Sequence, residues 1–184
     1  MKLARLLEKE LRAAGLEGRT VLELGCGRGE LSGELLAAGA ARVTGMDLSP
    51  DNIAAAGKFA SEDGLTGRLE FRVGNAATAD LAPHDVVVHH RVICCYPDPN
   101  GLLGNSIGVA GSVYGLSMPR SSGIIGLFVR IALHFENLLH RIKRRDFRAY
   151  VHDERIVDET LRAAGFRPIG RSNRLGWFAA VYAK

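Results

Sequence analysis

The sequence predicts an α/β protein with a mostly parallel sheet and helices on both faces, and three observations carry that expectation. Short β-type runs alternate with helical patterns from Thr20 onward. Some of these runs, above all Asp85 to His90 with its valines, are almost uninterruptedly apolar, as strands buried on both sides must be. Glycines at Gly25, Gly27 and Gly29 stand where the first run gives way to a helix.

Taken in order, Leu3, Leu6, Leu7 and Leu11 recur at helical spacing, so residues 1–16 form an amphipathic N-terminal helix. Thr20 to Leu24 is a strand, Glu30 to Ala38 a helix closed by Gly39, Arg42 to Met46 a strand and Asp51 to Glu62 a helix. Leu69 to Val73 and Asp85 to His90 are the next two strands. Pro97 to Val109 is a glycine-weakened helix, and Ser112 to Ser117 a weak fifth strand. Ile124 to Ile142 is a longer amphipathic helix, Phe147 to Val151 a strand, and Asp153 to Ala164 a helix stopped by Gly165. Phe166 with Gly176 to Ala183 forms the closing strand region. Without an internal repeat or linker, residues 1–184 read as one domain.

Composition narrows the class. A hydrophobic fraction of 47% with 24% charged residues is that of a chain able to bury a core, which excludes a disordered or fibrous protein. The N-terminus carries charges at every turn and is no secretory signal, and Gly123 to Leu139 is interrupted by Arg130, His134 and Glu136. A cytoplasmic protein without stable membrane insertion, monomeric or homodimeric, is expected. Cys26, Cys94 and Cys95 have neither disulfide nor zinc spacing, and no metal site is expected. The net charge of +4 concentrates in Arg141, Lys143, Arg144, Arg145 and Arg148, read as a solvated basic turn because no aromatics interleave to stack bases.

The most informative residues are Glu23-Leu-Gly25-Cys26-Gly27-Arg-Gly29 at a strand-to-helix turn. Such a bend admits a ligand close to the backbone, and the helix N-terminus offers free N–H groups. A dinucleotide fingerprint needs glycine where Glu30 stands, and Glu23 suits a pyrophosphate poorly. An acid there suits a ligand bearing an ammonium as well as a carboxylate, as the methionine part of S-adenosylmethionine does. Asp47, ending the second strand, can accept ribose hydroxyls, Leu48 can cover an adenine face, and Asn75, beside Gly74 and Ala76, can meet the adenine edge.

The runs ELGCGRG, MDLSP and VGNA resemble motifs I, II and III of the class I S-adenosylmethionine-dependent methyltransferases. The resemblance implies a Rossmann-like fold, seven strands with the last antiparallel, S-adenosyl-L-methionine as cofactor and S-adenosyl-L-homocysteine as product. It implies a cofactor site of Glu23, Gly25, Cys26, Gly27, Gly29, Asp47, Leu48, Asn75, Ala76 and His90. Asn75 stands where the family commonly has Asp.

The loop His89-His90-Arg91-Val-Ile-Cys94-Cys95-Tyr96 follows the fourth strand and should face the acceptor. Methyl transfer is an in-line displacement in which alignment matters most, with a base needed only for a protonated acceptor. His89, His90 and Tyr96 are the candidate catalytic side chains. RVICCYP, Pro119-Arg120 and FRAYVHDERIVDETLRAAGF resemble the magnesium-protoporphyrin O-methyltransferases and small bacterial relatives, which methylate a carboxylate. Arg91 and Cys95 depart from that pattern, as does the short N-terminal arm. A small-molecule acceptor is therefore expected, with a porphyrin-type carboxyl acceptor or a non-catalytic binding module as alternatives. A nucleic-acid substrate is disfavoured, since the chain lacks an Asn-Pro-Pro-aromatic loop and a Pro-Cys nucleophile. Residues 113–148 are the expected acceptor lid. The apolar face through Ile124, Leu127, Phe128, Ile131 and Phe135 is read first as core packing, then as a pocket wall, and last as a membrane-surface helix.

Overall fold

A computed structural model describes residues 2–144 and 147–184; Arg145 of the basic run thus lies outside the described residues. One seven-stranded sheet runs through it in the order β3-β2-β1-β4-β5-β7-β6. Its strands are β1 (Thr20–Leu24), β2 (Arg42–Asp47), β3 (Leu69–Val73), β4 (His84–His90), β5 (Ala110–Pro119), β6 (Arg167–Arg174) and β7 (Trp177–Ala183). β1 to β5 pair in parallel, and β7 inserts antiparallel between β5 and β6. The helices are α1 (Leu3–Ala13), α2 (Glu30–Ala37), α3 (Pro50–Glu62), α4 (Pro99–Gly108), α5 (Gly123–Ile142) and α6 (Glu154–Ala163).

The alternation of β4 sets up two cores. Val86 and Val88 face a layer with Leu7, Leu11, Leu31 and Leu35 from α1 and α2, while Val87 faces Leu102, Leu103, Tyr114, Leu161 and Phe166 across the sheet. Local signals place the helix starts. Ser49 Oγ accepts from Asn52 N at 3.2 Å with Pro50 following, Asp98 accepts from Asn100 N, and Asp153 from Arg155 N.

The structure corrects the expected strand at Phe147–Val151. That segment, Phe147-Arg-Ala-Tyr-Val151, sets Arg148 and Tyr150 between apolar residues, but it runs without sheet pairing. Ala149 is instead clamped by Asn137, which donates to its carbonyl at 2.7 Å and accepts its N–H at 2.9 Å. The sixth strand is Arg167–Arg174, a polar, exposed edge that pairs only with β7; Pro168 is tolerated at its outer edge, next to a bulge. β5 is longer and more buried than its glycines suggest, because Gly115 makes room for α1: a Cβ there would lie 2.9 Å from Leu11 Cδ2.

That close approach gives a test. Gly115→Val should destabilise the fold by about 1–3 kcal/mol through overpacking against Leu7 and Leu11, read as a lower urea midpoint with unchanged slope. An unchanged midpoint would show that α1 yields freely.

Candidate functional site

All the glycines of the first bend adopt left-handed backbone: Gly25 at φ 73°, Gly27 at 55° and Gly29 at 82°. A Cβ on Gly25 would fall 2.2 Å from Val92 Cγ2, so the bend folds tightly under the loop that follows β4. The Gly25 and Cys26 N–H groups donate to Met46 O at 2.7 and 3.0 Å, and Gly27 N–H donates to Asp47 Oδ2 at 2.9 Å. The ends of β1 and β2 are thereby locked together.

Three cavities open along the carboxyl edge of the sheet, and His90 and Arg91 line all of them. The first, of about 430 Å³, is bounded by Glu23, Gly25, Cys26, Gly27, Glu30 and Glu34. The second, of about 420 Å³, is bounded by Asp47, Leu48, Asn52, Ala76, Tyr96 and Phe147. The third, also about 420 Å³, is bounded by Lys2, Glu30, Arg174, Leu175 and Trp177.

The first cavity sets three acids, Glu23, Glu30 and Glu34, against three bases, Lys2, Arg28 and Arg91. Glu23 is buried, and Ser32 Oγ donates to its Oε2 at 2.5 Å. Burial, opposed by that hydrogen bond and reinforced by the charges of Asp47 and Glu34, pushes the Glu23 carboxyl up to about 8. Glu34 Oε2 is buried with no partner among the described residues. Buried carboxylate oxygens with unspent acceptor capacity suit a cation.

In the second cavity the Asp47 carboxylate is already oriented. Its Oδ1 accepts from Ser49 N at 3.0 Å and Asn52 Nδ2 at 3.1 Å, besides the Gly27 bond to Oδ2. A carboxylate has about four acceptor sites, so one is left for a hydroxyl, and Asn52 on the same wall offers an amide to a second. Sequence reading missed Asn52, although its position three residues after the Ser49 cap and five after Asp47 was a usable signal.

Of the expected site residues, Glu23, Gly25, Cys26, Gly27, Asp47, Leu48, Ala76, His90 and Tyr96 line these cavities. Cys26 offers its backbone rather than its thiol, whose pKa burial and neighbouring carboxylates raise. Gly29 does not line a cavity; it packs against Phe71 and Ala56, where a Cβ would sit 2.8 Å from the Phe71 ring. Asn75 also stands outside the lining, because its Oδ1 caps Ala77 N at 3.0 Å and accepts the Tyr96 hydroxyl at 3.1 Å. Tyr96 is thus turned toward Asn75.

His89 is corrected outright. Adjacent strand residues face opposite sides, and His89 is 0% exposed in the core, its ring 5.4 Å from that of Tyr114 and both nitrogens unpaired. Burial pushes its imidazole down to about 3, so it is neutral and away from every described cavity. His90 is the histidine that reaches the cleft. Burial first, then the Arg91 charge, lowers it to about 4. Ser117 Oγ accepts Arg91 N–H at 3.1 Å and lies 2.8 Å from His90 Nδ1. The Ser117 hydroxyl can donate to Nδ1 or accept from it, so this contact anchors the ring through Nδ1 and leaves Nε2 for the cleft.

Arg91 adopts φ 61°, rare for a side-chain-bearing residue, and its guanidinium stacks 4.9 Å from the Trp177 ring. With Lys2 and Arg174 it makes the third cavity cationic, despite Glu30.

The strand order with its single reversed strand is that of the Rossmann-like methyltransferase fold, and cavities open at the ends of β1 and β2. Residues 21–105 match the family described as a methyltransferase domain. The chain is 40% identical over 101 residues to the ribosomal protein L11 methyltransferase of Edwardsiella ictaluri, a match covering 50% of this chain and 34% of that protein. It is 36% identical over 94 residues to the ubiquinone biosynthesis O-methyltransferase of Bordetella avium, covering 50% and 38%. The match thus spans little more than a third of these relatives' length. Among solved structures, the magnesium protoporphyrin IX methyltransferase from Synechocystis PCC 6803 with bound S-adenosylhomocysteine superposes with a TM-score of 0.77 at 22% identity, over 99% of this chain and 81% of that one.

The raised Glu23 has a measurable consequence. A cation bound beside it must ionise it, so affinity for an ammonium-bearing ligand should rise from pH 6 toward pH 8 and then level off, with proton release below about pH 8. The same group favours the ligand-free fold at low pH, an advantage lost as pH rises through about 8. Calorimetry with S-adenosylhomocysteine in buffers of differing ionisation enthalpy reads the proton. Glu23→Gln should abolish the release; a buffer-independent enthalpy in the unmodified chain would contradict it.

Proposed function

We propose that this chain transfers a methyl group from S-adenosylmethionine to a small-molecule acceptor. The observation that carries the reading is the meeting of three chemically distinct cavities at His90 and Arg91. When bound, S-adenosylmethionine supplies a methyl group on a positively charged sulfur, already activated for displacement.

The residues present fit that cofactor. Glu23 and Glu34 complement an ammonium, and the bend of Gly25, Cys26 and Gly27 leaves space for an amino-acid end. Asp47 and Asn52 take the ribose hydroxyls, with Leu48 and Ala76 as apolar walls for the adenine. Asn75 acts here through Tyr96, which it holds at the adenine side rather than at the acceptor.

His90 is neutral and anchored through Nδ1, and with Ser117 donating to Nδ1 its Nε2–H is a hydrogen-bond donor to the acceptor rather than a base. A donor histidine beside Arg91, Arg174 and Lys2 suits an acceptor that is already anionic, and this favours a carboxylate oxygen as the methylated atom. Trp177 offers a flat apolar wall for the rest of that molecule. The L11 relative's name specifies a protein and the ubiquinone relative's a small molecule, so the preference for a small acid rests on this chain's own cationic cavity. Of the expected lid 113–148, residues 113–119 belong to β5 in the sheet, and in this reading the part of α5 bearing Leu133 and Glu136 covers the acceptor, beside a further cavity of about 80 Å³ that also touches Arg91 and Trp177.

Asp47→Ala should weaken S-adenosylhomocysteine binding about 30- to 100-fold, from loss of charge-assisted hydrogen bonds; calorimetry showing wild-type affinity would overturn the ribose assignment. Incubation with methyl-labelled S-adenosylmethionine and a panel of flat carboxylic acids, porphyrins included, tests the reaction. Label should enter a base-labile ester, and Arg91→Met should raise KM for the acid about tenfold or more while binding of S-adenosylhomocysteine persists. Label confined to protein or nucleic acid, or no transfer at all, would refute the small-acceptor reading.

A further inference from the structure

α5 is built inside out. Its apolar stripe, Ile124, Phe128, Ile131, Phe135, Leu138 and Ile142, is 44–77% exposed, although these residues recur at the spacing that normally marks a core face. The side turned to the body is a narrow seam of Gly126, Val129, Leu133, Asn137 and His140, and two of these five are polar. Asn137 spends its amide on Ala149, and His140 packs its ring 5.5 Å from Phe147. The first sequence expectation, that the stripe packs into the core, is therefore reversed. A helix of this length and hydropathy could cross a bilayer by composition alone, but its polar seam is tied to the protein, so the helix lies flat.

Charge points to what covers the stripe. Arg141, Lys143, Arg144 and Arg148 are all exposed at the C-terminal end of the same helix and just beyond it, so the exposed apolar stripe ends in an exposed run of positive charge. Glu136 is the one acidic residue on the helix, and it pairs with His140 at 3.8 Å. A second copy docking through this stripe would need acidic residues to meet that positive end. An anionic lipid surface meets it everywhere, with the phenylalanines and isoleucines entering the acyl boundary.

We propose that α5 is a membrane-docking helix that seats the protein on an anionic bilayer. Phe147 then lies between bilayer and cleft, since it packs on His140 and lines the second cavity. Docking stands on α5 alone and does not depend on the transfer reaction.

Flotation of the full chain with vesicles of phosphatidylcholine, with and without phosphatidylglycerol, tests this. Binding should require phosphatidylglycerol and weaken as salt is raised. Arg141→Gln with Lys143→Gln and Arg144→Gln should lower it about a hundredfold, and Phe128→Ser with Phe135→Ser should lower it by roughly as much. Both variants should bind S-adenosylhomocysteine as the unmodified chain does, which separates loss of docking from loss of folding or of the cofactor site. Three results would overturn the proposal: no flotation with phosphatidylglycerol vesicles, flotation unchanged in the phenylalanine variant, or a dimer in solution that this variant dissociates while vesicle binding is absent.

Discussion

The bond between the ends of β1 and β2 is the constraint on which the cleft depends. Met46 O receives two consecutive N–H groups from the glycine bend, and the next residue, Asp47, receives a third. These contacts demand positive φ at Gly25 and Gly27, and the first also demands that Gly25 lack a side chain against Val92. In return, one carboxylate is aimed before any ligand arrives, and the first and second cavities come to share a wall at Gly25, His90 and Arg91. Preorganisation of this kind saves the ordering cost that a flexible loop would meet on binding.

The charges of the cleft are sorted only in part. Glu23, Glu34 and Arg28 line the first cavity and Arg174 the third, while Lys2, Glu30 and Arg91 line both, with a neutral histidine at their junction. A ligand there must meet paired charges, and setting like charges together in a partly desolvated space is costly.

Much of this was legible in the residues. The glycine bend, Asp47 and the valine-rich β4 carry strong local signals, because backbone conformation and burial on both sheet faces restrict which residues can stand there. The failures have equally local causes. Phe147 to Val151 alternates like a strand, but its alternation serves the cleft and α5, and no period-2 rule distinguishes those partners. Arg167–Arg174 is an edge strand, held by one neighbour and free to be polar, so it has no hydrophobic pattern to read. His89 and His90 look alike in sequence; the pleat alone sends one to the core and the other to the cleft. Ser117 and Arg174 reach the cleft only through the tertiary fold. The stripe of α5 obeys the helical period, but periodicity shows that a face is apolar and not which way it turns.

α1 carries a consequence for how the molecule assembles. Its Glu10 accepts from Ser172 Oγ of β6, its Leu11 rests over Gly115 of β5, and Lys2 and Ala4 at its start border the first and third cavities. The partners that seat this helix are synthesised some hundred to 160 residues after it, a separation that ties completion of the cleft to long-range chain closure. A nascent chain emerging from the ribosome would therefore hold its motif-bearing strands early, yet present a finished ligand cleft only after the antiparallel pair at the far side of the sheet had clasped the helix made first.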